Sequence, residues 1–437
     1  MRLALLVALA LLSALPARAE GAEEGAGTPP TAEEAVAAAL ASFAQSGCAC
    51  TAPELERTLL ALGPDAIAPL SLALASAQTL PPESEPAVLG ALASQPPEPL
   101  RAYLKELAAS AAAEELRCTG LRVLARVAQP ADLELCVSCA SPAEEEAAVP
   151  RARRIAFEQA LLAVVRRAPE GRYVLADLLP SLDGSLVGPA VRALALERTP
   201  ETLELFSGLL GRVEGADGLL LAELADVGRS LGRPADERVS VPVRALLAAG
   251  DRHVAVLAAQ AAAALQDTRA IGDLIALLSH AEPAVRAAAE EALVLLARKH
   301  YRGGPEAWER WYRDELDWWV AEAPRVMARL SADDPALAVA AVRELAQHRL
   351  NRDESAEAVA AILWRPEQDL VVVACSTLGY YGSPRALPGL LQALERHEKQ
   401  VVDAAATALR AITGLDLPPD PDAWRAALDP ETLSEAR

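Results

Sequence analysis

The stretch GPEAWERWYRDELDWW, residues 304–319, holds four of the six tryptophans in a chain that is only 3% aromatic. With Tyr301 and Tyr312, six of the fifteen aromatic residues fall within 301–319. Such a cluster can stack on a sugar, anchor a partner, or fill the core at a joint. The spacing puts Trp308, Trp311, Tyr312, Glu315 and Trp319 at i, i+3, i+4, i+7 and i+11, one stripe of a helix, with Trp318 pointing elsewhere. A stripe of that kind suits core packing. Trp318, with Trp311 and Trp319, is the candidate for contact with a partner.

The cysteines offer a second chemistry. Five of the six come early, at 48, 50, 118, 136 and 139, and the sixth is Cys375, expected to be a buried core thiol. A coarse helix assignment places Cys118 and Cys139 on adjacent helices at similar heights, a candidate disulfide. Cys48 and Cys50 lie too far along the chain to reach Cys118, and either pair with each other or stay reduced. Cys136 and Cys139, at i and i+3, are an alternative bridge. Four thiolates could hold zinc, but no tight knuckle spacing is present. Nor does Cys-x-x-Cys-His occur, so a c-type haem is not indicated.

Catalytic motifs are missing. There is no G-x-S-x-G, H-E-x-x-H, P-loop or G-x-G-x-x-G, and the five histidines at 253, 280, 300, 348 and 397 are scattered. The expectation is a protein that is not an enzyme, with no catalytic residue, cofactor or metal.

These residues must be positioned by helices. The chain of 437 residues is 52% apolar, but Ala and Leu carry that load, and no period-2 strand pattern is found. Residues 1–19 read as a secretory signal peptide: Arg2, the apolar run Leu3–Leu15, and Ala17-Arg18-Ala19 for cleavage. The run is too short for a permanent span, which needs ~20 apolar residues. Export to a bacterial periplasm or the extracellular space is expected. No integral membrane segment should remain after cleavage. Losing Arg2 and Arg18 takes the net charge from −20 to −22, a balance that disfavours nucleic acid and anionic membranes. PRARR (150–154) and Arg166-Arg167 are the basic clusters, read as solvated helix faces.

Self-similarity organises the rest. Residues 269–296, RAIGDLIALLSHAEPAVRAAAEEALVLL, align without a gap on 385–412, RALPGLLQALERHEKQVVDAAATALRAI, at an offset of 116. Arg269/Arg385, Leu274/Leu390, Leu278/Leu394, Val285/Val401, Ala289/Ala405 and Leu293/Leu409 are among the identical pairs. Looser copies surround them, including LLALGPDAIAPL (59–70), where Gly63 and Pro64 stop one helix and start the next. Leu378 and Leu409 stand at equivalent positions 31 residues apart, room for two short helices and two turns.

This phrase resembles the HEAT repeat, in the short form shared with phycobilin-lyase-like proteins. The likeness is clearest over 244–416 and looser over 31–243. It implies an all-α fold, an α-solenoid of stacked helical hairpins in a HEAT-like superhelix, each touching only its neighbours. HEAT-type iron hydroxylases use repeated His-Glu pairs as ligands; only His397-Glu398 is present here, so the resemblance does not carry that activity over.

The offset continues past the repeat. PEAW (305–308) falls on PDAW (421–424), so Trp308 pairs with Trp424. A solenoid end exposes an apolar face that must be covered, and both tryptophans are expected to be structural caps. Trp311, Trp318 and Trp319 have no counterparts. The expected order is a signal peptide at 1–19, a flexible linker at 20–30, degenerate N-terminal helical repeats at 31–243 and HEAT-like repeats at 244–299. A Trp-rich helical insertion at 300–323 follows, then C-terminal HEAT-like repeats at 324–416 and a Trp-bearing cap and tail at 417–437.

Function is expected to follow architecture: an exported, acidic, non-enzymatic scaffold or protein-binding module with a protein partner. The alternatives are a HEAT-fold lyase-like or cofactor-handling protein, and glycan binding through the Trp-rich insertion.

Overall fold

A computed structural model of the chain describes residues 30–46, 52–76, 80, 82–110, 112–142, 148–301 and 304–428. The expected signal peptide, Cys48, Cys50 and the final tail lie outside the described residues. Among those residues every regular element is a helix, 24 α-helices and several 3-10 turns. None is long and apolar enough by itself to cross a membrane. The chain divides into two compact units, residues 1–100 and 101–437.

The first unit contains the helices Ala32–Ser46, Ala52–Leu60, Ile67–Ala75 and Glu85–Ala93. The first of them begins with a capping box: Glu34 N donates to Thr31 Oγ1 at 3.3 Å, and Thr31 N donates to Glu34 Oε2 at 2.9 Å. Gly63, at φ 75°, breaks the chain between the second and third helices and Pro64 opens the next turn, as the residue types require. Val36, Leu55, Leu59, Leu70, Val88 and Leu92 are buried.

In the second unit, long helices pack on the helix two places later. Glu114–Val127 lies on Arg151–Arg167, and that on Gly184–Leu194; Asp217–Leu231 lies on Arg252–Ala264, and that on Pro283–Ala297. Pro335–Leu345, Gln368–Tyr381 and Lys399–Thr413 repeat the arrangement. Helices between them form a second series, with Pro200–Leu209 against Glu237–Ala245. The order is compatible with a helical-repeat solenoid. Small faces permit close approach: Ala258, Ala259, Ala261, Ala262, Ala289 and Ala292 are buried, and a Cβ added at Gly379 would meet Ala408 Cα at 3.1 Å.

Arginines tie neighbouring helices by donating to carbonyl groups at helix ends, where the dipole favours a cation. Arg365 donates to Leu330 O and Ala332 O at 3.0 and 2.7 Å. Thirty-one residues on, Arg396 donates to Leu363 O and Arg365 O at 3.2 and 2.6 Å. Each is held by a carboxylate two residues later, Glu367 and Glu398. One arginine of each basic cluster serves the same purpose, where solvated helix faces were expected. Arg153 is buried, paired with Glu114 and donating to Ser141 O, and Arg167 donates to Ala125 O and Ala128 O.

The 116-residue offset appears as helix boundaries. Thr268–Ala270, Ile271–Leu277 and Pro283–Ala297 match Pro384–Ala386, Leu387–Ala393 and Lys399–Thr413 residue for residue. The two tryptophan helices, Pro305–Ala321 and Pro421–Ala427, start in the same register, and each packs on the first helix of its own repeat. Trp308 is 1% and Trp424 0% exposed.

Candidate functional site

The helix Pro305–Ala321 carries the aromatic residues into a joint. Gly304, at φ 70°, and Pro305 start it sharply. Trp308 meets Tyr301 and Trp311 edge to face, at ring separations of 4.8 and 5.6 Å. Tyr312 rests on Gly272, where an added Cβ would come within 3.3 Å of the phenolic oxygen. The most buried face runs through Trp308, Trp311 and Glu315.

Glu315 is a buried carboxylate that meets three hydrogen-bonding groups. Trp311 Nε1 donates to its Oε1 at 2.9 Å and Lys299 Nζ at 3.1 Å, while His348 Nδ1 stands 2.8 Å from Oε2. Because a carboxylate only accepts, the geometry assigns the His348 ring proton to Nδ1. The Trp318 ring stacks on the His348 imidazole at 3.4 Å and 8°. Both oxygens of Glu315 are thus engaged, by groups from the helix itself, from Lys299 and from His348. Its chemistry here is cohesion.

Of the candidate partner residues, Trp311 is buried, and Trp318 and Trp319 are half-buried. Trp318 packs on the C-terminal core and has one face covered by His348. Trp318 lies i+3 from Glu315 and i+7 from Trp311, so it falls on the inward side of the helix, whereas the stripe reading gave that place to Trp319. The most exposed tryptophan is one that the spacing did not single out: Trp364, 79% exposed. It follows the helix Arg352–Ala360 and lines a groove of about 510 Å³ with Met327, Leu330, Ile362 and Arg365. The signal available in sequence was its position between the buried pair Ile362-Leu363 and Pro366, at the end of a helix.

Cys118 and Cys139 are free thiols in place of the expected bridge, as are Cys136 and Cys375. The cause is azimuth. Cys139 Sγ sits 4.0 Å from where a Cβ on Gly120 would stand, and Cys118, two residues away on that helix, points about 200° round from it. Cys118 Sγ instead approaches Glu114 Oε1 at 3.5 Å. Burial, then the Glu114 charge, pushes its thiol up to about 12; burial pushes Cys139 up to about 11 and Cys375 to about 12. Among the described residues, no group of three or more His, Cys, Asp or Glu could hold a metal ion.

Beside the joint lies a cleft of about 500 Å³, walled by the helices Asp217–Leu231, Arg252–Ala264 and Pro283–Ala297. Arg229, Arg298, Arg349 and Arg352 line it, together with Glu291 as the single carboxylate. Arg298 and Arg349 place their guanidinium carbons 5.4 and 4.6 Å from the Tyr380 ring centroid. Burial, ahead of all other causes, lowers the pKa of Arg349 and of Arg352 below the ordinary arginine value. The four arginines come from segments up to 123 residues apart, and no local run announces them.

No family model matches the chain, and no curated protein matches it either. Among solved structures, a crystal structure of an engineered protein is similar at 20% identity and a TM-score of 0.27, covering 88% of this chain and 96% of that one. At that score the two chains need not share a fold.

Proposed function

We propose that this chain is an exported HEAT-like α-solenoid that works as a scaffold, binding a protein partner rather than turning over a substrate. The observation that supports it is the duplicated unit. Two helical pairs match boundary for boundary at an offset of 116, and each is followed by a buried tryptophan at the same position. Stacked units of this kind gain stability from neighbour interfaces and leave long side-by-side helix surfaces free for recognition. The exposed ring of Trp364, beside the 510 Å³ groove, is the aromatic anchor offered to that partner. Export rests on residues 1–19, with the mature chain beginning near Glu20.

Crosslinking with mass spectrometry in the native host tests the reading. It predicts recurrent adducts between one exported protein and the surface around Trp364. Crosslinks spread evenly over the chain, with no preferred protein, would contradict it. Intact mass of the secreted chain checks export separately, the expected loss being residues 1–19.

A further inference from the structure

The arginine-lined cleft has features that capping and packing do not account for. Arg233, close by, shows what a capping arginine does here: its Nη1 donates to Thr413 O at 2.6 Å and to Ile412 O at 3.3 Å, at the end of the helix Lys399–Thr413. Arg352 does nothing of the kind. It is 7% exposed, lines the cleft, and its Nε and Nη1 have no hydrogen-bond partner. Its carboxylate neighbour Asp353 is 4.0 Å away, too far for a hydrogen bond. Arg349 also keeps a buried Nε without a partner. Buried guanidinium donors left open are costly, and their fork geometry matches an oxyanion.

The repeat offset supplies an independent observation. Among the described residues, two that are not glycine have positive φ: Gln266 at 55° and Arg298 at 51°. Both line this cleft. Their counterparts 116 residues on are Gly382 and Gly414, at φ 69° and 74°, the residue type that the left-handed conformation favours. The first copy thus accepts strain at two helix ends where the second uses glycine. In exchange it gains a guanidinium at the wall of the cleft, and an amide whose Nε2 donates to Gly232 O at 2.9 Å. Strain held at such a place is a mark of a functional site.

We propose that this cleft binds a small oxyanion, the phosphate or carboxylate group of a soluble ligand. Arg352 and Arg349 recognise it at the floor, and Arg298 closes on it from the wall. The anion would satisfy the open donors of Arg352 and Arg349 and relieve the repulsion among guanidinium groups crowded around Tyr380. Gln260 adds a neutral polar group, while the Gln266 amide nitrogen is committed to Gly232 O at 2.9 Å, so the site favours a compact anion with a further polar atom. This site is separate from the Trp364 surface and does not depend on it.

The test is calorimetric titration of the purified full chain with inorganic phosphate and, separately, with citrate, against sodium chloride of equal ionic strength. The expected result is saturable binding of one probe beyond the chloride control; phosphate alone marks a phosphate-bearing ligand, and citrate alone a carboxylate. Arg352→Met should weaken that binding about tenfold or more, the loss of two charge-assisted hydrogen bonds. Arg298→Gly gives a second readout, because it removes the guanidinium and restores the residue found in the other copy. It should raise the melting temperature of the free protein while weakening the probe. No saturable binding of either probe at millimolar concentration overturns the proposal, and so does binding left unchanged by both substitutions.

Discussion

Trp308 and Trp424 occupy the same place in two copies of one structural unit, 116 residues apart, and both are fully buried. Their surroundings differ. Trp424 Nε1 donates to Pro418 O at 2.8 Å within a short terminal helix, whereas Trp308 sits among Tyr301 and Trp311 at the start of a long one. One sequence device, a buried tryptophan after a helical pair, occurs in two settings.

Truncation of either ring should therefore be severe. Trp424→Ala and Trp308→Ala are each expected to destabilise the chain by about 3–5 kcal/mol, the usual cost of emptying a tryptophan site. Urea unfolding measures it. A loss under about 1 kcal/mol for either would mean that the buried ring is not a seal.

Asp132 links stability to pH. Burial raises the pKa of its carboxyl, but Arg101, bonded to both oxygens at 2.8 and 2.9 Å, and the backbone of Gln129 outweigh that and hold it below the ordinary carboxylate value. A carboxylate depressed on folding adds stability that is fully present above its unfolded pKa of about 4 and is lost as the pH falls through the folded value. The melting-temperature gap between the wild type and Asp132→Asn should stay constant from pH 7 to pH 5 and close below pH 4. A gap that widens in acid would reverse the assignment.

The thiols give a third expectation. Cys136, Cys139 and Cys375 are buried and their thiol pKa values are raised, so native maleimide labelling should be slow at each and complete after denaturation. A non-reducing digest should contain no peptide joining Cys118 to Cys139. Finding that peptide would show that the two side chains turn toward each other, against the azimuths described above.

Gly382 marks a close approach as well as a turn. At φ 69°, an added Cβ would stand 2.9 Å from Pro234 Cδ, in the segment whose Arg233 caps the helix Lys399–Thr413. Gly382→Ala is expected to cost about 1–3 kcal/mol through strain and overpacking. Thermal unfolding checks it; an unchanged melting temperature would mean that the 233–234 segment yields freely.

Much of this was legible in the residues, because helix boundaries are written locally. The offset that aligns Leu274 with Leu390 also carries the Pro283 and Lys399 helix starts and both sealing tryptophans. The orientation of side chains around a helix was less legible. Cys118 and Cys139 stand at matching heights but face different ways, and Trp318 turns inward although the stripe was drawn through Trp319. The cleft was hidden for a different reason: Arg229, Arg298, Arg349 and Arg352 meet only when helices distant in sequence pack together. A clue did exist, in the replacement of Gly382 and Gly414 by Gln266 and Arg298 between two otherwise matching copies. It acquires meaning only once both positions are known to need a left-handed backbone.

The chain is proposed to act by holding a protein partner on its helical surface. Partner capture by the purified chain and by Trp364→Ala, with melting temperatures taken in parallel, tests this. Removal of an exposed ring should leave stability within about 0.5 kcal/mol and reduce capture of the crosslinked partner at least tenfold, as for an interface anchor. Undiminished capture with unchanged stability would mean that no partner is held at this ring.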